Sequence, residues 1–297
     1  MTTTAASTAG GAPTRIADYL ALTKPRLSAL VLATTGAGFL LAPRSSSSLL
    51  PLAFALLGTI LVVGGANALN QVYEREIDAL MRRTRDRPLP AGRLWAGPAG
   101  AFGVALAAVG IAVLALQVNL LSALLGAGGF VLYVFVYTPL KRLSWICTLV
   151  GAIPGATPPM IGWAAATGQL DRTAAVLFAI LFFWQMPHFL AIARLFREDY
   201  RNAGMVMTGV QEEDPQAYRH MIFYCVALIP VAASLAWTGA TGTVYLAGSV
   251  VLGLGFLASA VRAALKPSWQ TDRAAFLYSL IYLPALLVLM LIDRQVI

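Results

Sequence analysis

The chain has 297 residues, 59% of them hydrophobic and only 11% charged, with a mean hydropathy of +0.74. A soluble domain carries about 25% charged residues, so this chain has too few to cover a water-facing surface, and lipid must cover much of it. The net charge of +8 would point to nucleic acid in a soluble protein, but the basic residues sit between apolar runs and report membrane topology instead, which leaves no nucleic-acid partner.

The stretch 1–14 is small, polar and uncharged and reads as a disordered tail ahead of a single membrane domain over 15–297. A spanning helix needs roughly 20 mostly apolar residues. Such runs lie near 27–43, 51–70, 97–116, 119–138, 145–166, 173–193, 219–238, 243–264 and 274–292. The expected fold is therefore all-α: a polytopic membrane protein of about nine transmembrane helices around a central cavity open to the cytoplasmic side. The fifth run contains GAIPGATPPMIGW (151–163), and its glycines and prolines argue for a broken helix. Such breaks at membrane depth line cavities.

With the N-terminus inside, all of the 21 Lys and Arg except Arg44, Arg172 and Arg294 fall on inside segments. That bias sets the orientation. All of the 13 acidic residues except Asp171 and Asp293 lie inside as well. Acidic residues contribute little to topology, so their clustering has another cause.

The second run continues into NQVYEREIDALMRRTRDRPLP (70–90). Asn70, Glu74 and Asp78, spaced four apart, form one drifting stripe on a helix, about 12 Å long at a rise of about 1.5 Å per residue. Oxygen ligands of this kind suit Mg²⁺, which takes carboxylates together with substrate phosphates. Arg82, Arg83, Arg85 and Arg87 follow, and arginine is suited to bidentate phosphate contact. A solvated helix end with i,i+4 ion pairs, such as Asp78 with Arg82, has the same spacing. YTPLKR (137–142) ends the fourth run and puts Tyr137, Lys141 and Arg142 on the same side, either anchoring that end or joining the site. Cys147 and Cys225 form no C-x-x-C pair, so no disulfide framework or zinc site is expected.

The sixth run ends in WQMPHFLAIARLFREDYRNAG (184–204). Glu198, Asp199 and Tyr200, with Arg194, Arg197 and Arg201, form a second charged cluster on the face that carries the first. The two clusters would face each other across one cavity and hold a metal–diphosphate. Eleven residues separate His188 from Asp199, close to three helical turns, which predicts one face. His188 is either a helix–helix contact or a contact to a buried, metal-bearing substrate.

Together with DYLALTKPR (18–26), these four segments make the chain, from about Ala17 to its last span, resemble the UbiA superfamily of membrane prenyltransferases, and within it the branch that acts on haem. The resemblance implies Mg²⁺ and an isoprenyl diphosphate at Asn70, Glu74 and Asp78. It matches Asp199 and Glu198 to the second acidic motif, where the superfamily commonly has aspartates four apart. It gives catalytic roles to Asn70, Glu74, Asp78, Asp199 and Lys141, metal ligation to the first four, and diphosphate contacts to Arg83 and Arg87; from their place beside these residues, Tyr137, Arg142, His188, Arg197, Glu198 and Tyr200 are further expected substrate contacts. It further implies farnesyl diphosphate and haem B as substrates, haem O as product, and haem A synthase or a terminal oxidase as recipient. The implied location is a bacterial inner membrane, with the N-terminus cytoplasmic and the C-terminus periplasmic. Two other functions compete: prenyl transfer to an aromatic quinone precursor, and transport. The charges gather at one face rather than at the midplane, and no inverted repeat is evident, both of which count against transport.

Overall fold

The computed structural model describes residues 15–43, 48–208, 210 and 215–295. The expected tail 1–14 and Arg44 lie outside the described residues. Among those described, the chain is helical throughout, and its one β-type pairing is an isolated bridge between Thr241 and Arg294. The helices in order are α1 (Arg15–Leu22), α2 (Pro25–Leu41), α3 (Leu50–Leu80), α4 (Ala96–Gln117), α5 (Leu120–Val131), α6 (Thr138–Leu140), α7 (Cys147–Ala156), α8 (Pro158–Thr167), α9 (Arg172–Leu195), α10 (Arg197–Asn202), α11 (Gln216–Ala233), α12 (Thr243–Leu265) and α13 (Trp269–Ile292).

Among the described residues, seven helical runs are long and apolar enough to cross a membrane: α3, α4, the continuous run Leu120–Leu140, α9, the run Gln216–Thr238, α12 and α13. The chain is thus a multi-pass membrane protein. The first expected span is the 17-residue α2. The fifth is split at Thr157 into α7 and α8, of 10 residues each. The split follows from Pro158 and Pro159, which offer no N–H to the turn before them.

Local chemistry sets the helix ends. Asn119 and Asp171 accept the backbone N–H groups of Ser122 and Ala174 as N-caps of α5 and α9, and Ser268 and Thr271 form a capping box on α13. Between α5 and α6, Leu132–Tyr137 is a π segment. Its cause is Pro139, which cannot donate to the turn below, and the Thr138 N–H reaches Tyr133 O instead.

Packing relies on small residues, as expected where lipid removes the hydrophobic drive between helices. A Cβ on Gly65 of α3 would lie 2.5 Å from the Gly103 carbonyl oxygen of α4, and one on Gly162 of α8 would collide with the Thr35 carbonyl of α2. The core runs through α9, α11, α12 and α13 around Trp184, Tyr245, Phe256 and Tyr282. The charged connections meet at one end of this bundle: Val206 N–H donates to Lys141 O, Arg93 pairs with Asp18 at 2.9 Å, and Arg82 shares a pocket with Pro267, Trp269 and Asp272.

Candidate active site

Helix α3 runs ten residues past the expected span, and that extension carries Glu74 and Asp78, with Asn70 at its start. Asn70, Glu74 and Asp78 are 1%, 5% and 1% exposed, which rules out a solvated helix end. Each meets a partner from another part of the chain. Lys141 Nζ donates to Glu74 Oε1 at 2.8 Å. Arg87 Nη1 donates to Asp78 Oδ2 at 2.7 Å, so the partner of Asp78 comes from beyond the turn rather than from Arg82. Asn70 accepts from Lys24 Nζ at 3.2 Å through Oδ1 and donates to Thr138 Oγ1 at 3.2 Å through Nδ2. Thr138 in turn donates to Tyr133 O, which ties the stripe to the π segment. The Lys141 ammonium also lies 4.6 Å above the Tyr137 ring.

Lys24 is the cation that sequence reasoning passed over. It stands between α1 and α2 with φ 50° and ψ 63°, the one non-glycine residue at positive φ among the described residues. Burial, and then the neighbouring charges of Arg87 and Lys141, bring its pKa down to about 7, while Glu74 and Asp78 pull the other way. The available signal was the pair Lys24–Pro25, since a following proline disfavours ordinary helix geometry and marks a helix break.

Next to this charged cap lies an apolar cavity of about 450 Å³. Asn67, Tyr133, Tyr137, Gln185 and His188 are among its lining residues, and its walls come from α2, α3, α5, the π segment and α7–α9, with Leu280 and Leu283 of α13. His188 stacks on Trp184 at 5.0 Å between ring centroids, and its Nδ1 lies 2.7 Å from Ser279 Oγ. The Ser279 hydroxyl gives its single proton to Phe276 O. Its oxygen therefore accepts from the His188 Nδ1–H, and Nε2 keeps its lone pair.

The second cluster is built differently. α9 ends at Leu195, Phe196 leaves helix geometry at φ −114° and ψ 26°, and α10 starts afresh at Arg197. The expected common face of His188 and Asp199 does not survive that break: His188 lines the apolar cavity, whereas Arg197, Glu198 and Asp199 line a separate polar pocket of about 490 Å³ with Arg82, Arg194, Trp269 and Asp272. Arg194 and Asp272 approach to 3.9 Å, and Tyr218 donates to Asp272 at 3.1 Å, a buried network that the sequence did not reveal. Arg83 joins the two clusters. Its Nη2 donates to Tyr200 OH at 2.5 Å, and its guanidinium sits 4.8 Å from the Phe196 ring centroid. Arg142 is exposed on the connection after α6.

No group of three or more His, Cys, Asp or Glu among the described residues could hold a metal by itself. Mg²⁺ needs only one or two protein carboxylates when phosphate oxygens complete its shell. Glu74 and Asp78, buried one helical turn apart, fit that requirement.

A match to the family model described as the UbiA prenyltransferase family spans residues 31–283. A protoheme IX farnesyltransferase of Solibacter usitatus is 49% identical over 93% of this chain and 98% of its own length. One from Myxococcus xanthus is 44% identical over 95% of this chain and 96% of its own. Among solved structures, a digeranylgeranylglyceryl phosphate synthase superposes with a TM-score of 0.79 at 14% identity, covering 95% of this chain and 99% of that one. A UbiA homologue from Archaeoglobus fulgidus, bound to DMAPP and Mg²⁺, gives 0.65 at 15% identity, covering 92% and 99%. At these identities the structures share the fold.

Proposed function

The chain belongs to the UbiA prenyltransferase family, and we propose that it transfers the farnesyl group of farnesyl diphosphate to a vinyl group of haem B, giving haem O. The observation that carries the choice of acceptor is the chain-long likeness to relatives named protoheme IX farnesyltransferase. The geometry supports the chemistry, since a cap of buried charges borders an apolar cavity.

In this reading the diphosphate lies against the α3 stripe and the isoprenoid chain enters the cavity past Tyr137. Mg²⁺, held by Glu74 and Asp78 with Asn70 beside them, would neutralise charge on the leaving diphosphate. Lys141 and Arg87, which face those carboxylates, direct their remaining donors at the phosphate oxygens, where charge develops. The C1–O bond breaks, its electron pair leaves with the diphosphate, and an allylic cation remains. The apolar walls keep water from that cation until the vinyl carbon attacks it. Water then captures the resulting haem-side cation and loses a proton. His188 offers Nε2 to the haem, as an iron ligand or an orienting contact. Glu198, Asp199 and Arg197 act at the neighbouring pocket, linked to the stripe through Arg83 and Tyr200. The gathering of basic connections at one end supports a cytoplasmic site in a bacterial inner membrane, with the product passed to haem A synthase or a terminal oxidase.

The test is an assay of purified protein in detergent with haem B, farnesyl diphosphate and Mg²⁺, reading pigment mass. The expected product is haem gaining farnesyl plus water, lost on chelation. Prenylation of a hydroxybenzoate or naphthoate with no haem product would move the acceptor to a quinone precursor.

A further inference from the structure

Three cations converge on the α3 stripe, and they are not equivalent. Lys141 faces the Glu74 carboxylate and Arg87 faces the Asp78 carboxylate, each within 2.8 Å. Lys24 faces the neutral amide oxygen of Asn70 at 3.2 Å. This partly buried ammonium is hydrogen-bonded to an amide, while the nearby Glu74 and Asp78 carboxylates are each hydrogen-bonded to another cation. Its surroundings are incomplete until an anion arrives.

The backbone beneath Lys24 is built to put the ammonium there. The left-handed conformation is uncommon for a residue with a side chain, and strain of this kind persists only where surrounding structure enforces it. Two side chains of α3 enforce it. Asn67 Nδ2 donates to Thr23 O at 3.2 Å, and Gln71 Nε2 donates to Leu22 O at 2.8 Å. These carbonyls lie where α1 stops and α2 starts, and Thr23 O also accepts from the Ser28 hydroxyl at 3.0 Å. Asn67, Asn70 and Gln71 thus hold the break and its lysine together from one face of one helix. Arg26, just past the break, lines the apolar cavity along with Asn67 and Tyr137, so the break borders the cavity as well as the charged cap.

We propose that Lys24 is a diphosphate-binding residue of this site, and that Asn67 and Gln71 are positioning residues that hold its backbone in the conformation that delivers it. The inference rests on the prenyl-transfer reading and does not depend on which acceptor is used. The ligand is the diphosphate head of the prenyl donor. Its amide contact lets Lys24 turn to that anion without leaving a carboxylate unpaired, which neither Lys141 nor Arg87 can do.

The test uses the full-length protein in detergent and farnesyl thiodiphosphate with Mg²⁺, a donor that binds and ionises poorly. Calorimetry gives its Kd, and haem B titration gives an independent Kd for the acceptor. Lys24→Met should weaken thiodiphosphate binding by roughly tenfold or more, the worth of a charge-assisted hydrogen bond, with haem affinity and thermal midpoint unchanged. Lys24→Arg should restore most of the loss. Gln71→Met should raise the donor KM with a smaller effect on kcat. Wild-type donor affinity in Lys24→Met overturns the proposal. So does a loss of donor affinity, haem affinity and thermal midpoint together that Lys24→Arg does not rescue, which would make Lys24 structural. If wild-type protein binds thiodiphosphate in this Lys24-dependent way but yields no haem product, the acceptor reading fails and the Lys24 assignment stands.

Discussion

The two acidic segments at the charged end of the bundle look alike as strings of letters, with carboxylates beside arginines at the end of an apolar run, yet they are held in opposite ways. The first rides on an unbroken helix, is 5% exposed or less at each of its three residues, and meets a cation from outside that helix at each step. The second lies past a break at Phe196, on the six-residue α10, where Glu198 is exposed and Asp199 half-buried. One segment is fixed before any ligand arrives, whereas the other forms the wall of a neighbouring polar pocket. Preorganised charge is what stabilises a leaving group without further reorganisation. On the proposed prenyl-transfer reading, the difference favours the α3 stripe for the ionisation step and gives α10 a supporting part.

The sharpest way to break this comparison is to remove one carboxylate from each side. Asp78→Ala should abolish turnover, by at least two orders of magnitude, with membrane insertion unchanged. Asp199→Asn should cost far less. Equal losses would mean that both segments grip one ligand, contrary to the two pockets seen here. Next in size is Lys141→Met, which leaves the Glu74 carboxylate buried beside a missing ammonium. Removing one partner of a buried pair costs about 3–5 kcal/mol, and thermal unfolding in detergent should show it. Adding Glu74→Gln should restore stability but not activity. The smallest effect is expected from Tyr200→Phe, which deletes the acceptor for Arg83 and should cost about 1 kcal/mol in donor binding, a several-fold rise in KM.

Much of this architecture is legible in the sequence because its cause is local. Hydropathy places the long helices to within about five residues, apart from the ten-residue charged extension of α3, and Pro158–Pro159 announces the break in the fifth run. Spacing by four is enough to align Asn70, Glu74 and Asp78. What the sequence hides depends on contacts between remote residues. Lys141 and Glu74 are 67 positions apart, Lys24 and Asn70 are 46 apart, and Arg93 and Asp18 are 75 apart. The counting of turns from His188 to Asp199 assumes one continuous helix. Phe196 ends that helix with no glycine or proline to announce it. The network of Arg194, Asp272 and Tyr218 draws one residue from each of three helices, so no spacing rule finds it.

The central claim, that the α3 stripe and not the α10 pocket receives the diphosphate, is tested most directly by determining the structure of the protein with farnesyl thiodiphosphate and Mg²⁺ bound. The expected result is diphosphate density against Asn70, Glu74 and Asp78, within reach of Lys24, Arg87 and Lys141, with the prenyl chain running past Tyr137 toward His188. Diphosphate density among Arg197, Glu198, Asp199 and Asp272 would contradict it.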